Sequence, residues 1–304
     1  MEKDLGGFES HVFRAQRNGQ HQILRVTHRA HRSMGQLAGE LEWMQWLYDH
    51  GASVCKPLMV IEDKRCLAVG PFILSTMEVA RGRLIIESDW TPSFFANWGR
   101  HIGTLHKASQ GYKPSRKSFK RPEWYEDNNI RFDEIIPEDQ PGVRSVCEET
   151  LGELSALPQT PDLYGLIHCD PHPGNFYKDG ETLTYFDFDD CCYQWFAYDI
   201  ATILFGAVGQ PWLDKNESAR LDEAKRFLPA FLQGYQEITP LPDMVVENLP
   251  LFLKLRELSL YALSFVHASE SFHGSSFDND FMKNRKERIE HRIPYLMDDY
   301  THLL

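Results

Sequence analysis

The chain has 304 residues, 42% hydrophobic and 12% aromatic, which is enough apolar material for a full core and too much for a disordered chain. Its 44 acidic residues outnumber 32 basic ones, and the formal charge of -12 argues against nucleic acid as a partner while suiting a cationic small molecule. The opening residues lack an apolar signal region and no run is long enough to cross a bilayer, so neither export nor membrane insertion is expected.

Residues 5–12 and 20–26 read as strands of a hairpin closed at Arg17, Asn18 and Gly19. Gly6, Gly7 and Ser10 at its start would let backbone N–H groups approach a phosphate, although an ordinary turn between strands fits them as well. Arg25 sits in the apolar run Ile23-Leu24-Arg25-Val26, as either a phosphate-bridging guanidinium or a solvent-facing strand residue. The spacing of Leu37, Leu41, Met44 and Leu47 predicts a helix over 36–49, with Glu40 beside its apolar face and Glu42 on another side. Strands over 56–61 and 65–76 follow, joined at 62–64, and the second runs into Met77, Glu78 and Val79.

Phe94, Phe95, Trp98, Ile102 and Leu105 predict a buried helix over 93–109, in which His101 and His106 read as packed or surface residues rather than metal ligands. Residues 112–140 are polar and read as a long loop near a cleft, its basic patch of Arg116, Lys117, Lys120 and Arg121 solvated. Helical patterns return over 142–156, 200–208, 219–234, 244–267 and 284–303. The six cysteines, Cys55, Cys66, Cys147, Cys169, Cys191 and Cys192, have neither C-x-x-C nor zinc spacing, so thiols in a reducing cytoplasm are expected.

The densest chemistry lies in residues 166–200. His168, Asp170 and Asn175 form an H-x-D-x-x-x-x-N signature, and Pro171, Pro173 and Gly174 rule out a helix there, letting Asp170 and Asn175 point to one side. Residues 182–188 are β-branched and aromatic, and read as a strand that carries Asp187 to a position opposite Asn175. Phosphoryl transfer from ATP needs one carboxylate to orient the attacking hydroxyl, and a second carboxylate with an amide oxygen to hold Mg2+ on the phosphates. Asp170, Asp187 and Asn175 meet those needs; the alternative is an acidic turn that merely caps helices.

HCDPHPGNF at 168–176, YFDFDD at 185–190 and FAYDIA at 196–201 together resemble the aminoglycoside phosphotransferase and choline kinase family, a branch of the protein-kinase-like fold. That pattern reads H-G-D-x-H-P-G-N, then a strand ending in I-D-[FW], then Y-D-[LI]-A. The resemblance implies an α+β, bilobal fold: an N-terminal lobe over 1–78 with a small antiparallel sheet and one main helix, and a larger, mostly helical lobe over 79–304. It implies an ATP- and Mg2+-dependent enzyme in which Asp170 accepts or orients a hydroxyl proton, His168 braces the loop, Asn175 and Asp187 hold the metal, and Asp199 fixes the loop's backbone. Arg25 takes the place of the usual phosphate-binding lysine, with Glu40 as its partner and Glu42 as the fallback. Ser10 would lie near the phosphates, and Met77, Glu78 and Val79 would form the hinge against adenine.

Cys169 stands where protein kinases carry an arginine, Asp189 replaces the glycine after the D-F pair, and no A-P-E segment follows, which disfavours a regulated protein kinase. A hydroxyl-bearing small molecule, such as an aminoglycoside-like or other amine or sugar acceptor, is therefore expected. The rivals are a nucleotide-binding pseudokinase and a protein Ser/Thr kinase of the same superfamily. Trp195, Tyr198, Glu257, Tyr261, Glu270 and Asp278 are candidates for acceptor contact.

Overall fold

The computed structural model describes residues 3–6, 10–126, 130–214, 216–268 and 283–296. Its first part is a six-stranded antiparallel sheet of β1 (Lys3–Gly6), β2 (Ser10–Arg17), β3 (Gln20–His28), β4 (Pro57–Leu58), β5 (Cys66–Val69) and β6 (Phe72–Glu78). The order is β1-β2-β3-β6-β4, with β5 also on β6. Strand β2 runs on past the expected end at Val12 as far as Arg17. There Asn18 and Gly19, both at positive φ, close a tight turn onto β3 of the kind whose twist suits a hairpin. The single strand expected over 65–76 is instead the hairpin β5–β6, because Gly70 at φ 57 and Pro71 turn the chain between them. Gly7 lies outside the described residues.

Helix α1 (Met34–Asp49) starts at Ser33, whose hydroxyl accepts from Gln36 N while the Gln36 side chain accepts from Ser33 N. This capping box sets where the helix begins. Leu37, Leu41, Trp43, Met44 and Leu47 are buried along it, packed toward β4 and β5.

The remainder is mostly helical among the described residues: α2 (Pro92–Gln110), α3 (Phe132–Ile135), α4 (Pro141–Ser155), α5 (Phe196–Val208), α6 (Glu217–Gln236), α7 (Asp243–Glu247), α8 (Leu249–Ala268) and α9 (Arg285–Glu290). The helix expected over 244–267 is broken at Asn248, one residue before α8. The one expected over 284–303 stops at Glu290, with Arg292 at φ 56 and Pro294 just beyond, and residues 297–304 lie outside the described part. Trp90, Phe95, Trp98, Phe227 and Phe231 interlock between α2 and α6 as a largely edge-to-face aromatic core.

Two small antiparallel pairs sit between sheet and helices and position the site. β7 (Tyr164–Ile167) pairs with β10 (Cys192–Trp195), and β8 (Phe176–Asp179) pairs with β9 (Thr182–Tyr185). The loop from β7 to β8 carries the H-x-D-x-x-x-x-N residues, and the segment from β9 to β10 carries Asp187. Pairing at both ends forces these two connections to run side by side.

Candidate active site

Phe186 N donates to Asn175 O at 3.0 Å, and a ring nitrogen of His168 meets Phe186 O at 3.1 Å, so the two connections are stitched to each other. His168 is thus buried as a brace beneath the loop. Asp199, buried in the first turn of α5, accepts from His168 N at 3.1 Å and from Cys169 N at 2.8 Å. The second bond matters because Cys169 sits at φ 70, a left-handed conformation costly for a residue with a Cβ. His106 of α2 supports Asp199 from below at 3.1 Å and meets the Tyr235 hydroxyl at 3.0 Å. The packed role expected for His106 therefore extends to the footing of the loop.

Asp170 is surrounded by donors. Asn175 Nδ2 reaches its main-chain oxygen at 2.9 Å and its Oδ2 at 3.1 Å; His172 Nε2 lies 3.3 Å from Oδ2, and Arg256 of α8 donates to Oδ1 at 2.5 Å. Burial opposes ionisation of Asp170, but Arg256 and His172 outweigh it and hold the carboxyl well below the usual carboxylate range. Nothing in the sequence singles out Arg256, since α8 follows the loop by some eighty residues and carries no motif.

Asp187 is the electrostatic opposite. The strand expected over 182–188 ends at Tyr185, and Asp187 lies beyond it at φ 63, turned out of the sheet. Burial raises its pKa; Arg25 and His168 oppose the rise, while Asp189 and Asp170 add to it. Such surplus negative charge is what a cation relieves. Among the described residues no group of three or more His, Cys, Asp or Glu side chains could hold a metal unaided. An amide oxygen and a carboxylate, as Asn175 and Asp187 offer, are donors of the kind that suit Mg2+, which keeps several waters and shares one or two protein ligands with phosphates.

Arg25 points inward from β3 and is buried, its Nη2 donating to Glu40 Oε1 at 2.7 Å. Glu40 is wholly buried; desolvation raises its pKa, with Arg25 opposing. Among the described residues Arg25 Nε and Glu40 Oε2 have no hydrogen-bond partner, two buried polar atoms left unsatisfied. The fallback, Glu42, is engaged elsewhere, accepting from Tyr112 OH at 2.9 Å, Ser115 N at 2.9 Å and Ser115 Oγ. Of the remaining expected residues, Ser10 pairs its hydroxyl with Thr27 Oγ1 at 2.8 Å. Met77 is buried in the core, Glu78 is exposed with its N–H on Lys56 O at 2.9 Å, and Val79 is half-buried just past β6.

The glycine replacement after the D-F pair has a structural account. Asp189 is buried, with His31 Nε2 at 2.7 Å and Arg32 Nη2 at 2.9 Å, both from the turn before α1. Arg121, expected in a solvated basic patch, is only 2% exposed and bonds the carbonyls of Asp189, Cys191 and Gln36. That expectation failed because the flanking polar sequence hid one inward-facing residue.

Beyond Asp170 opens a cavity of about 400 Å3, within the range of small-ligand sites. Trp124, Tyr198, Phe205, Leu260 and Leu263 line it, with Asp190, Gln194 and Arg256 as polar points. Of the suggested acceptor contacts among the described residues, only Tyr198 lines this space. Trp195 is buried with its Nε1 on Pro158 O, Glu257 is paired with Arg285, and the Tyr261 hydroxyl is bonded to Gln140; Glu270 and Asp278 lie outside the described residues.

Against known proteins, the sequence model of the phosphotransferase enzyme family matches residues 2–243. The chain belongs to that family. It is 33% identical over 305 residues to the amicoumacin kinase of Bacillus subtilis strain 168, covering 99% of this chain and 90% of that protein. An amicoumacin kinase solved in complex with AMP-PNP, Ca2+ and Ami superposes with a TM-score of 0.91 at 31% identity, covering 99% of this chain and 91% of that one. An aminopropanol kinase structure, at 22% identity and a TM-score of 0.72, shares the fold. The chain is accordingly a phosphotransferase of the kinase-like, bilobal α+β type. Among the described residues no helix is long and apolar enough to cross a membrane.

Proposed function

We propose that this phosphotransferase moves the γ-phosphoryl group of ATP to a hydroxyl of an amphipathic, amine-bearing small molecule seated in the cavity beside Asp170. The kinship with an amicoumacin kinase makes amicoumacin-like compounds the first acceptors to try. The observation that carries the reading is the meeting of Asp170 with that cavity on one side and with Asn175 on the other.

In this reading the lobe boundary falls after Glu78, and nucleotide lies between the sheet and the two stitched connections. Asn175 and Asp187 hold Mg2+, which when bound neutralises charge on the phosphates. Arg25, steadied by Glu40, supplies a fixed positive charge toward the same point. Adenine rests on the backbone at Met77, Glu78 and Val79, with Ser10 on the strand above the phosphates. Asp170 is too weak a base to take a proton early; its task is to accept a hydrogen bond from the hydroxyl and aim the oxygen in line. Each carboxylate oxygen has more than one lone pair, so the incoming hydroxyl bonds to Asp170 beside the donors already there, of which Arg256 and His172 also line the cavity.

The negative charge of the chain and the apolar lining favour an acceptor with a cationic amine and an apolar body. ADP release should be followed against a panel of amicoumacin-type compounds, aminoglycosides, amino alcohols and homoserine, with Asp170→Ala as control. ATP binding without Asp170-dependent turnover on any of them would instead favour a nucleotide-binding module.

A further inference from the structure

The long segment between α2 and α3 is tied down at several points. Besides the bonds from Tyr112 and Ser115 to Glu42, the main chain of 117–119 passes so close to α1 that a Cβ on Gly35 or Gly39 would lie 2.3 or 1.9 Å from the carbonyl oxygens of Ser118 and Phe119. Tyr193 N then bonds Pro122 O at 2.8 Å, tying the segment to β10. Arg121 sits at the centre of this strap. Its Nε donates to Cys191 O at 2.8 Å, Nη2 donates to Asp189 O, and Nη1 donates to Gln36 O at 3.2 Å. Two of those carbonyls belong to the stretch that follows Asp187, and the third lies on α1 one turn before Glu40.

Burying a guanidinium costs several kcal/mol unless its surroundings compensate, and here the three hydrogen bonds among the described residues all go to neutral carbonyls. Burial and the like charge of Arg32 oppose the cation, and the field of Glu40 and Asp189 works in its favour. A buried apolar side chain could fill the same space but could not hold three main-chain oxygens at fixed angles.

We infer that Arg121 is a positioning residue for phosphoryl transfer, setting the separation between the Asp187 segment and the face of α1 that carries Glu40. Through Glu40 it keeps Arg25 in place, and through the Asp189 and Cys191 carbonyls it keeps Asp187 in its left-handed turn. This inference rests on the roles of Arg25 and Asp187 proposed above.

The test uses the full-length chain with Arg121→Gln and Arg121→Lys, read by hydrogen exchange without nucleotide and by steady-state kinetics. In the Gln variant, amides of 186–192 and 34–41 should exchange about tenfold faster, with the rest of the chain unchanged. The Mg2+ concentration for half-maximal rate should rise by about tenfold and kcat should fall by a similar factor, while the acceptor KM stays within about twofold. The Lys variant, keeping the charge and part of the bonding, should recover part of each effect, and it decides the matter if the Gln variant does not fold. Exchange that rises evenly over the chain, or a folded variant with unchanged Mg2+ dependence and kcat, overturns the inference. If the wild-type chain turns over no acceptor, the functional reading fails, and the exchange pattern still decides whether Arg121 couples the two segments.

Discussion

Replacing Gly39 by alanine adds one methyl group at the tightest point between α1 and the strap. The new Cβ would start 1.9 Å from Phe119 O, whereas carbon and carbonyl oxygen rest about 3.3 Å apart, so the two backbones must separate by about 1.4 Å. No rotamer change relieves a contact with a main-chain oxygen, which puts the strain near the upper end of the usual overpacking range, about 3 kcal/mol. Alanine returns about 1 kcal/mol through its better helix propensity, leaving a net loss of about 2 kcal/mol. For a chain of this size the expected fall in Tm is roughly 4 °C. The kinetic consequence is larger, because Glu40 is the next residue and an error of about 1 Å in a catalytic constellation can cost on the order of a hundredfold in kcat. Gly152, exposed in α4 with nothing within 4 Å of its would-be Cβ, is the control: Gly152→Ala should raise stability by about 0.5–1 kcal/mol and leave kcat alone. Thermal unfolding and ADP-release kinetics on both variants decide it. A Gly39→Ala protein at least as stable as wild type and equally active would refute the idea that α1 is seated by this backbone contact.

Other outcomes follow from the same geometry. Asp170→Asn should lower kcat by on the order of 10² to 10⁴ while nucleotide affinity, measured by titration calorimetry, changes little. Undiminished turnover would remove Asp170 from the reaction. Arg25→Ala leaves Glu40 buried without its partner and should destabilise the fold by about 3–5 kcal/mol, whereas Arg25→Lys, able to reach Glu40 by a single bond, should cost far less; chemical unfolding of the two variants distinguishes them. Asp199→Ala strips two buried N–H groups of their acceptor and should cost about 2–4 kcal/mol together with most activity; a Tm close to wild type would contradict it. Asp89, held by Arg83 and Lys178, has its carboxyl pulled down to about 2. A depressed acid adds stability above its unfolded value near 4 that disappears as the pH drops toward 2. With Arg83 half exposed, screening reduces the contribution to about 1 kcal/mol. The Tm gap between wild type and Asp89→Asn should therefore close between pH 5 and pH 2, and a constant gap would refute it.

What could be read in the sequence, and what could not, divides by how far the chain must travel to make a contact. Asp170 and Asn175 share one loop and Asp187 lies one hairpin further on, so spacing alone brought them together, and the β8–β9 pairing needed only local turn chemistry. Helical periodicity places Glu40 beside an apolar face, and the family resemblance is what names it as the partner of Arg25. The break at Gly70 and Pro71 was equally local, a glycine-proline turn whose signal was outweighed by the β-branched and aromatic residues around it. Arg256 and Arg121 offered no such handle. Each is a single cation in an unremarkable stretch, and its importance comes from which distant oxygen it meets. The same holds for Asp189, where the sequence registers only a lost glycine and the structure supplies His31, Arg32 and Arg121 around the carboxylate and its carbonyl. The residues proposed to hold the metal and the acceptor sit on short loops with recognisable spacing, whereas the parts that hold those loops still are drawn from anywhere in the fold. A motif search on this chain therefore finds the groups proposed to react and misses the groups that hold them in register, and mutations at the second set are the ones that spacing alone would class as harmless.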